Sequence, residues 1–84
     1  MLIAKSELRS VITAQGAMIL NIEADEISTL NELGGYIWGL LLEGKSTDQV
    51  VADLARETGA DVSVIAADVN EFLEQLAAKK IVTL

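Results

Sequence analysis

The stretch Ile27-Ser28-Thr29-Leu30-Asn31-Glu32-Leu33-Gly34-Gly35-Tyr36-Ile37-Trp38 is where the chain changes its periodicity. Up to Leu30 the residues are β-branched and alternate, as in a strand; beyond Asn31 the apolar residues recur at helical spacing. Asn31 marks the border, because its side chain can satisfy an orphan amide in the first turn of a helix over 32–43. On that helix Leu33, Ile37, Leu40 and Leu41 recur on one face, with Tyr36 beside them. Gly44 ends it, since glycine tolerates the left-handed cap. Gly34-Gly35 costs a helix about 1 kcal/mol per glycine relative to alanine. Close packing on a sheet would explain the pair, and a frayed first turn is the alternative. Trp38, the single tryptophan, is expected to anchor the core.

Upstream of the border the chain reads as strands. Leu8, Val11 and Ile12 lie in a β-prone segment, Gln15-Gly16 reads as a turn, and Ala17 to Ile22 is an apolar run of strand length. Ala24-Asp25 is a second reverse turn, and Glu26 to Leu30 completes a three-stranded antiparallel meander over about residues 7–30. Downstream, Ser46 with Gln49 forms a capping box for a helix running to about Thr58, with Val50, Val51, Leu54 and Ala55 inward. Gly59 closes it, Asp61 caps a third helix over about 62–79, and Ile81 to Leu84 is expected to be a short extended tail on the core. The fold class is α+β: a three-stranded antiparallel sheet followed by three helices in a winged-helix-like cluster, as one domain over residues 1–84.

Composition narrows the chemistry. With 51% hydrophobic residues the chain is too apolar for disorder. A membrane span needs about 20 apolar residues in a row, and runs such as Leu40-Leu41-Leu42 are far shorter. The first residues lack the apolar stretch of a signal peptide, so a soluble, cytoplasmic protein is expected. There is no Cys and no His, which excludes zinc sites of the usual kind, thiol nucleophiles and imidazole bases. No glycine-rich phosphate loop is present. We therefore expect no catalysis, no metal and no cofactor. Six basic residues against thirteen acidic ones disfavour nucleic acid and anionic membranes. A basic or neutral peptide is the better partner, although the charge could equally serve solubility alone.

Two features could carry binding. On the third helix Ile65, Val69, Phe72 and Leu76 centre an apolar stripe that Val62, Ala66, Leu73 and Ala77 widen. Asp61, Val64, Asp68, Glu71 and Gln75 lie on its other flank. Most of the stripe is expected to be core, but Val64 sits among the acids, where burial would need a partner. The second feature is the edge of the meander at Ile27-Ser28-Thr29, which carries neither charge nor proline. Such an edge suits β-augmentation by a peptide. Cover by the chain's own tail or by a second copy is the alternative, weighed equally.

The stretch Leu30 to Trp38 resembles the PqqD-like pattern of Leu-Asn, a small residue or Gly three positions on, then Ile-Trp. Leu41-Leu42-Glu43-Gly44-Lys45-Ser46-Thr47 is similar to that family's link into its second helix. Asp68-Val69-Asn70-Glu71-Phe72-Leu73-Glu74-Gln75-Leu76 is similar to its third-helix signature. The resemblance covers about residues 8–82. It implies a recognition domain for ribosomally synthesised precursor peptides, whose leader adds as a strand to the third strand and lies against the third helix. Carried onto this chain, it implies a peptide site of Glu26, Ile27, Ser28 and Thr29 on the strand. On the helix it implies a rim of Val64, Asp68 and Glu71, with Phe72 as floor. Asp68 could equally bond a backbone amide as a structural residue, and either flank of the helix could line the groove. The partners implied are a precursor leader and a separate modifying enzyme, with a lasso-peptide leader peptidase favoured over pyrroloquinoline quinone biosynthesis. A homodimeric adaptor, and less so a winged-helix DNA-binding protein, are the alternatives.

Overall fold

The structure is a computed structural model that describes residues 2–3 and 7–83. In chain order it runs β1 (Leu2–Ile3), β2 (Leu8–Thr13), β3 (Gly16–Asn21), β4 (Glu26–Leu30), α1 (Glu32–Leu42), α2 (Thr47–Thr58), α3 (Val62–Ala78) and β5 (Val82–Thr83). Strands β2, β3 and β4 form the expected antiparallel meander, in that order. Three helices follow, so the α+β reading holds.

The helix ends follow from local chemistry. Asn31 Oδ1 accepts a hydrogen bond from the Gly34 amide at 2.8 Å. Ser46 and Gln49 make both bonds of the capping box, at 3.2 and 2.9 Å. Gly59 ends α2 in the left-handed region at φ 70°, and Asp61 Oδ1 caps α3 through the Ser63 amide at 2.7 Å.

Strand alternation divides the meander into two faces. Ala17, Ile19 and Ser28 point inward and are buried, whereas Val11, Met18 and Ile27 point outward and are exposed. The inner face meets α1 through a contact between glycine backbones. A Cβ added to Gly35 would lie 2.7 Å from the Gly16 carbonyl carbon, and one on Gly16 would run into the Leu30 carbonyl oxygen. Gly16 also holds φ +146°, a conformation that suits only glycine. The close packing expected at Gly34-Gly35 is thus present, and it has a partner glycine in the sheet. The turn lies one residue earlier than expected, at Ala14-Gln15, because Gly16 belongs to β3 and makes this contact.

Trp38 is fully buried, and its indole Nε1 donates to Ser10 Oγ at 3.0 Å. It belongs to one core cluster with Ile19, Ile37, Leu41, Val50, Leu54, Val69, Leu73 and Leu76. Two expected core positions are exposed instead: Leu33 at 49% and Val62 at 59%. The glycine contact turns α1 so that Gly34, Gly35, Ile37, Trp38 and Leu41 are its buried positions, which leaves Leu33 outside. Val62 stands in the first turn of α3, ahead of that helix's buried positions. Ile81 and Val82 are buried, as expected of the tail, and Leu84 lies outside the described residues. Among the described residues the tail covers no edge of the meander. It pairs with the beginning of the chain, Leu2 with Thr83 and Ile3 with Val82, in a separate two-stranded sheet.

Candidate functional site

The β4 edge is open. Ile22 N–H donates to the Glu7 carbonyl at 2.9 Å, which sets the hydrogen-bonding parity along the β2–β3 ladder. Residues 18 and 20 of β3 then bond to β2, and residues 17, 19 and 21 bond to β4. Their partners on β4 are Leu30, Ser28 and Glu26. Ile27 and Thr29 therefore direct their amides and carbonyls away from the sheet, and among the described residues nothing pairs with them. Their side chains lie on the outer face, Ile27 at 65% exposure. Ser28 points inward and is buried, while Glu26 opens the strand and is exposed.

Near the end of β4 lies Phe72 of α3. The Phe72 ring edge would stand 3.1 Å from a Cβ on Gly34, and the Leu30 Cβ 3.3 Å from it. Phe72 is half-buried, at the seam of α1, α3 and the end of β4. At about 100° per residue, Asp68 follows Phe72 around the helix by about 40°, then Gln75 and Val64. Val64 is exposed at 56%, and Asp68 and Glu71 are exposed as well. Glu71 lies about 100° from Phe72 and points furthest from the core. Asp68 bonds no backbone amide among the described residues. The structure thus groups Phe72 with the end of β4, with Val64 and Asp68 on the adjoining flank. Leu30 also belongs to this seam. Strand alternation could have found it, since Leu30 shares the inner face with Ser28.

The chemistry available here is recognition through backbone hydrogen bonds and apolar contact. Among the described residues no group of three or more His, Cys, Asp or Glu could hold a metal ion. No described helix is long and apolar enough to cross a membrane. Among the described residues, a carboxylate fixed by basic partners lies elsewhere: Asp53 pairs with Lys45 at 3.1 Å and Arg56 at 2.6 Å. Those partners hold the Asp53 carboxyl below its usual range, Lys45 foremost.

Comparison with known proteins bears on this geometry. A solved structure described as TbiB1 in complex with the TbiA(beta) leader peptide superposes with a TM-score of 0.91 at 27% identity, over 98% of this chain and 94% of that one. A lasso peptide synthetase B1 complexed with the leader peptide gives a TM-score of 0.78 at 23% identity, over 93% and 91%, and shares the fold. Among curated protein sequences none matches. The model of the coenzyme PQQ synthesis protein D (PqqD) family matches residues 16–82. That span takes in the meander from β3 onward and all three helices, so the chain belongs to the PqqD family.

Proposed function

We propose that this chain is a non-catalytic recognition domain that takes the leader segment of a ribosomally made precursor as a fourth strand on β4. The observation that carries this reading is the open edge, where Ile27 and Thr29 aim donors and acceptors outward on a strand whose last residue, Leu30, lies near the half-buried Phe72. An extended peptide would gain main-chain bonds there, while alternate side chains reach Phe72 and Leu30 on one face. Val64 adds apolar surface, and Asp68 and Glu71 attract basic leader residues. The solved complex of TbiB1 with a leader peptide supports the same class of ligand. The domain then presents the bound leader to a separate modifying enzyme, a lasso-peptide leader peptidase in the favoured case.

The test is a fluorescence-polarisation titration with the leader of a precursor encoded near this gene, against a scrambled leader. Saturable binding of the true leader alone is expected. Thr29→Pro removes an outward amide without touching the β3 ladder. It should weaken binding at least ten-fold while near-UV circular dichroism stays unchanged. Full affinity in a folded Thr29→Pro protein would refute strand addition. The same open edge favours a second reading, pairing between two copies in a homodimeric adaptor. A mass that doubles with concentration in light scattering, with no leader bound, would select it.

A further inference from the structure

A second concave surface lies across α1 from the β4 edge. It is a cleft of about 640 Å³ between the end of β2, the first turns of α1 and the last turn of α2. Ile12, Leu33, Tyr36 and Leu54 make its apolar lining, and Glu32 and Glu57 stand among them. Three of these apolar side chains are substantially open to solvent: Ile12 at 43%, Leu33 at 49% and Tyr36 at 43%. The exposure is built into the fold, because the Gly35–Gly16 contact turns Leu33 and Tyr36 out of the core.

The charge around the cleft has one sign. No Lys or Arg occurs among the described residues that line it. Glu57 stands at the carboxyl end of α2, where the helix dipole is also negative, whereas Glu32 stands in the first turn of α1 at that helix's positive end. The nearest basic residue in sequence, Arg56, is paired with Asp53. An apolar concavity whose carboxylates have no basic partner among the described residues favours an occupant that brings an apolar anchor and its own positive charge.

We propose that this cleft is a second docking site, for a segment of a partner protein that carries a bulky apolar side chain flanked by lysine or arginine. It is separate from the leader edge: β2 forms the opposite border of the sheet from β4. A second copy of this chain suits the cleft less well than a basic segment, because six basic residues against thirteen acidic ones leave it little positive charge to set against Glu32 and Glu57. If the leader reading also holds, the domain can carry a peptide on one border and a protein on the other at once.

The test uses a phage-displayed library of random dodecapeptides panned on the whole chain, followed by synthesis and titration of the enriched peptides. Enriched sequences should combine a bulky apolar residue with lysine or arginine. Their affinity should fall at least ten-fold on Leu33→Glu, and also on Glu57→Lys combined with Glu32→Gln. Saturating leader should not displace them. Leu33 and Glu57 are exposed, so these variants should keep the near-UV spectrum of the parent. Failure to enrich any peptide, enrichment without basic residues, equal binding to Leu33→Glu, or displacement by leader would each overturn the proposal. Leader titrations on the same variants separate the two ideas, since leader affinity should not change in any of them.

Discussion

The contact between Gly35 and Gly16 predicts opposite outcomes for two substitutions four residues apart on one helix. Replacing a helical glycine by alanine stabilises the helix by about 1 kcal/mol when nothing else changes. At Gly39 nothing else does change: an added Cβ meets only Ile12 Cδ1, at 3.6 Å, an ordinary contact. Gly39→Ala should therefore stabilise the domain by about 0.5–1 kcal/mol, raising Tm by about 2–8 °C for a domain of this size. At Gly35 the added methyl lands 2.7–2.9 Å from three backbone atoms of Gly16. Neither strand nor helix can rotate a rotamer to escape, so α1 must lift from the sheet. Overpacking typically costs about 1–3 kcal/mol, and rigid backbone on both sides points to the upper end. After the helical gain is subtracted, Gly35→Ala should destabilise by about 1–2 kcal/mol. Urea denaturation followed by Trp38 fluorescence gives both values in one experiment, because the only Trp is fully buried. A Gly35→Ala protein as stable as Gly39→Ala would refute the glycine contact as the element that seats α1.

Three further outcomes are expected. Trp38→Ala should cost about 3–5 kcal/mol, most of the stability of a domain this small, and leave the chain largely unfolded by circular dichroism at 37 °C. Ser10→Ala strands the buried indole N–H and should cost about 1–3 kcal/mol by urea titration, with no loss of leader affinity. Glu7 is held above its ordinary value of 4.5 by a hydrogen bond with Glu23 and by that residue's charge. A raised carboxyl pKa contributes stability below the unfolded value, and that contribution is lost as pH rises through the folded one. Glu23→Gln should therefore stabilise the domain at pH 7, and the gain should shrink as the pH falls toward 4.5; a gain independent of pH would exclude the pair as its source.

Local chemistry makes much of this architecture legible in the sequence. Asn31, Ser46 with Gln49, Gly59 and Asp61 each settle a helix end through a bond to a neighbour within three residues or a local backbone conformation. Alternation around Ile27 to Leu30 likewise exposed a proline-free edge. What remained hidden depends on contacts distant in sequence. Periodicity shows that α1 has an apolar stripe but not where the stripe is centred. The Gly35–Gly16 contact decides that, and it moves Leu33 from the core to a cleft wall. What the α3 stripe packs against was equally closed to periodicity, because the proximity of Phe72 to Leu30 and Gly34 joins segments some forty residues apart. The β1–β5 pairing has no local signature at all, since its two short strands come from the two ends of the chain.

That pairing has an architectural consequence. Leu2 and Thr83 are ladder partners, so the chain enters and leaves its own body at a single point, with Cα atoms about 5 Å apart. A domain with such a gate can be spliced into a surface loop of a host protein without prising the host's loop ends apart. The meander takes no part in the small sheet that forms the gate, so its β4 border would remain free in such a chimera. The same geometry allows a circular permutant, joined by a short linker across residues 83 and 2 and opened at the exposed Gly59-Ala60 corner, to keep every element of the core.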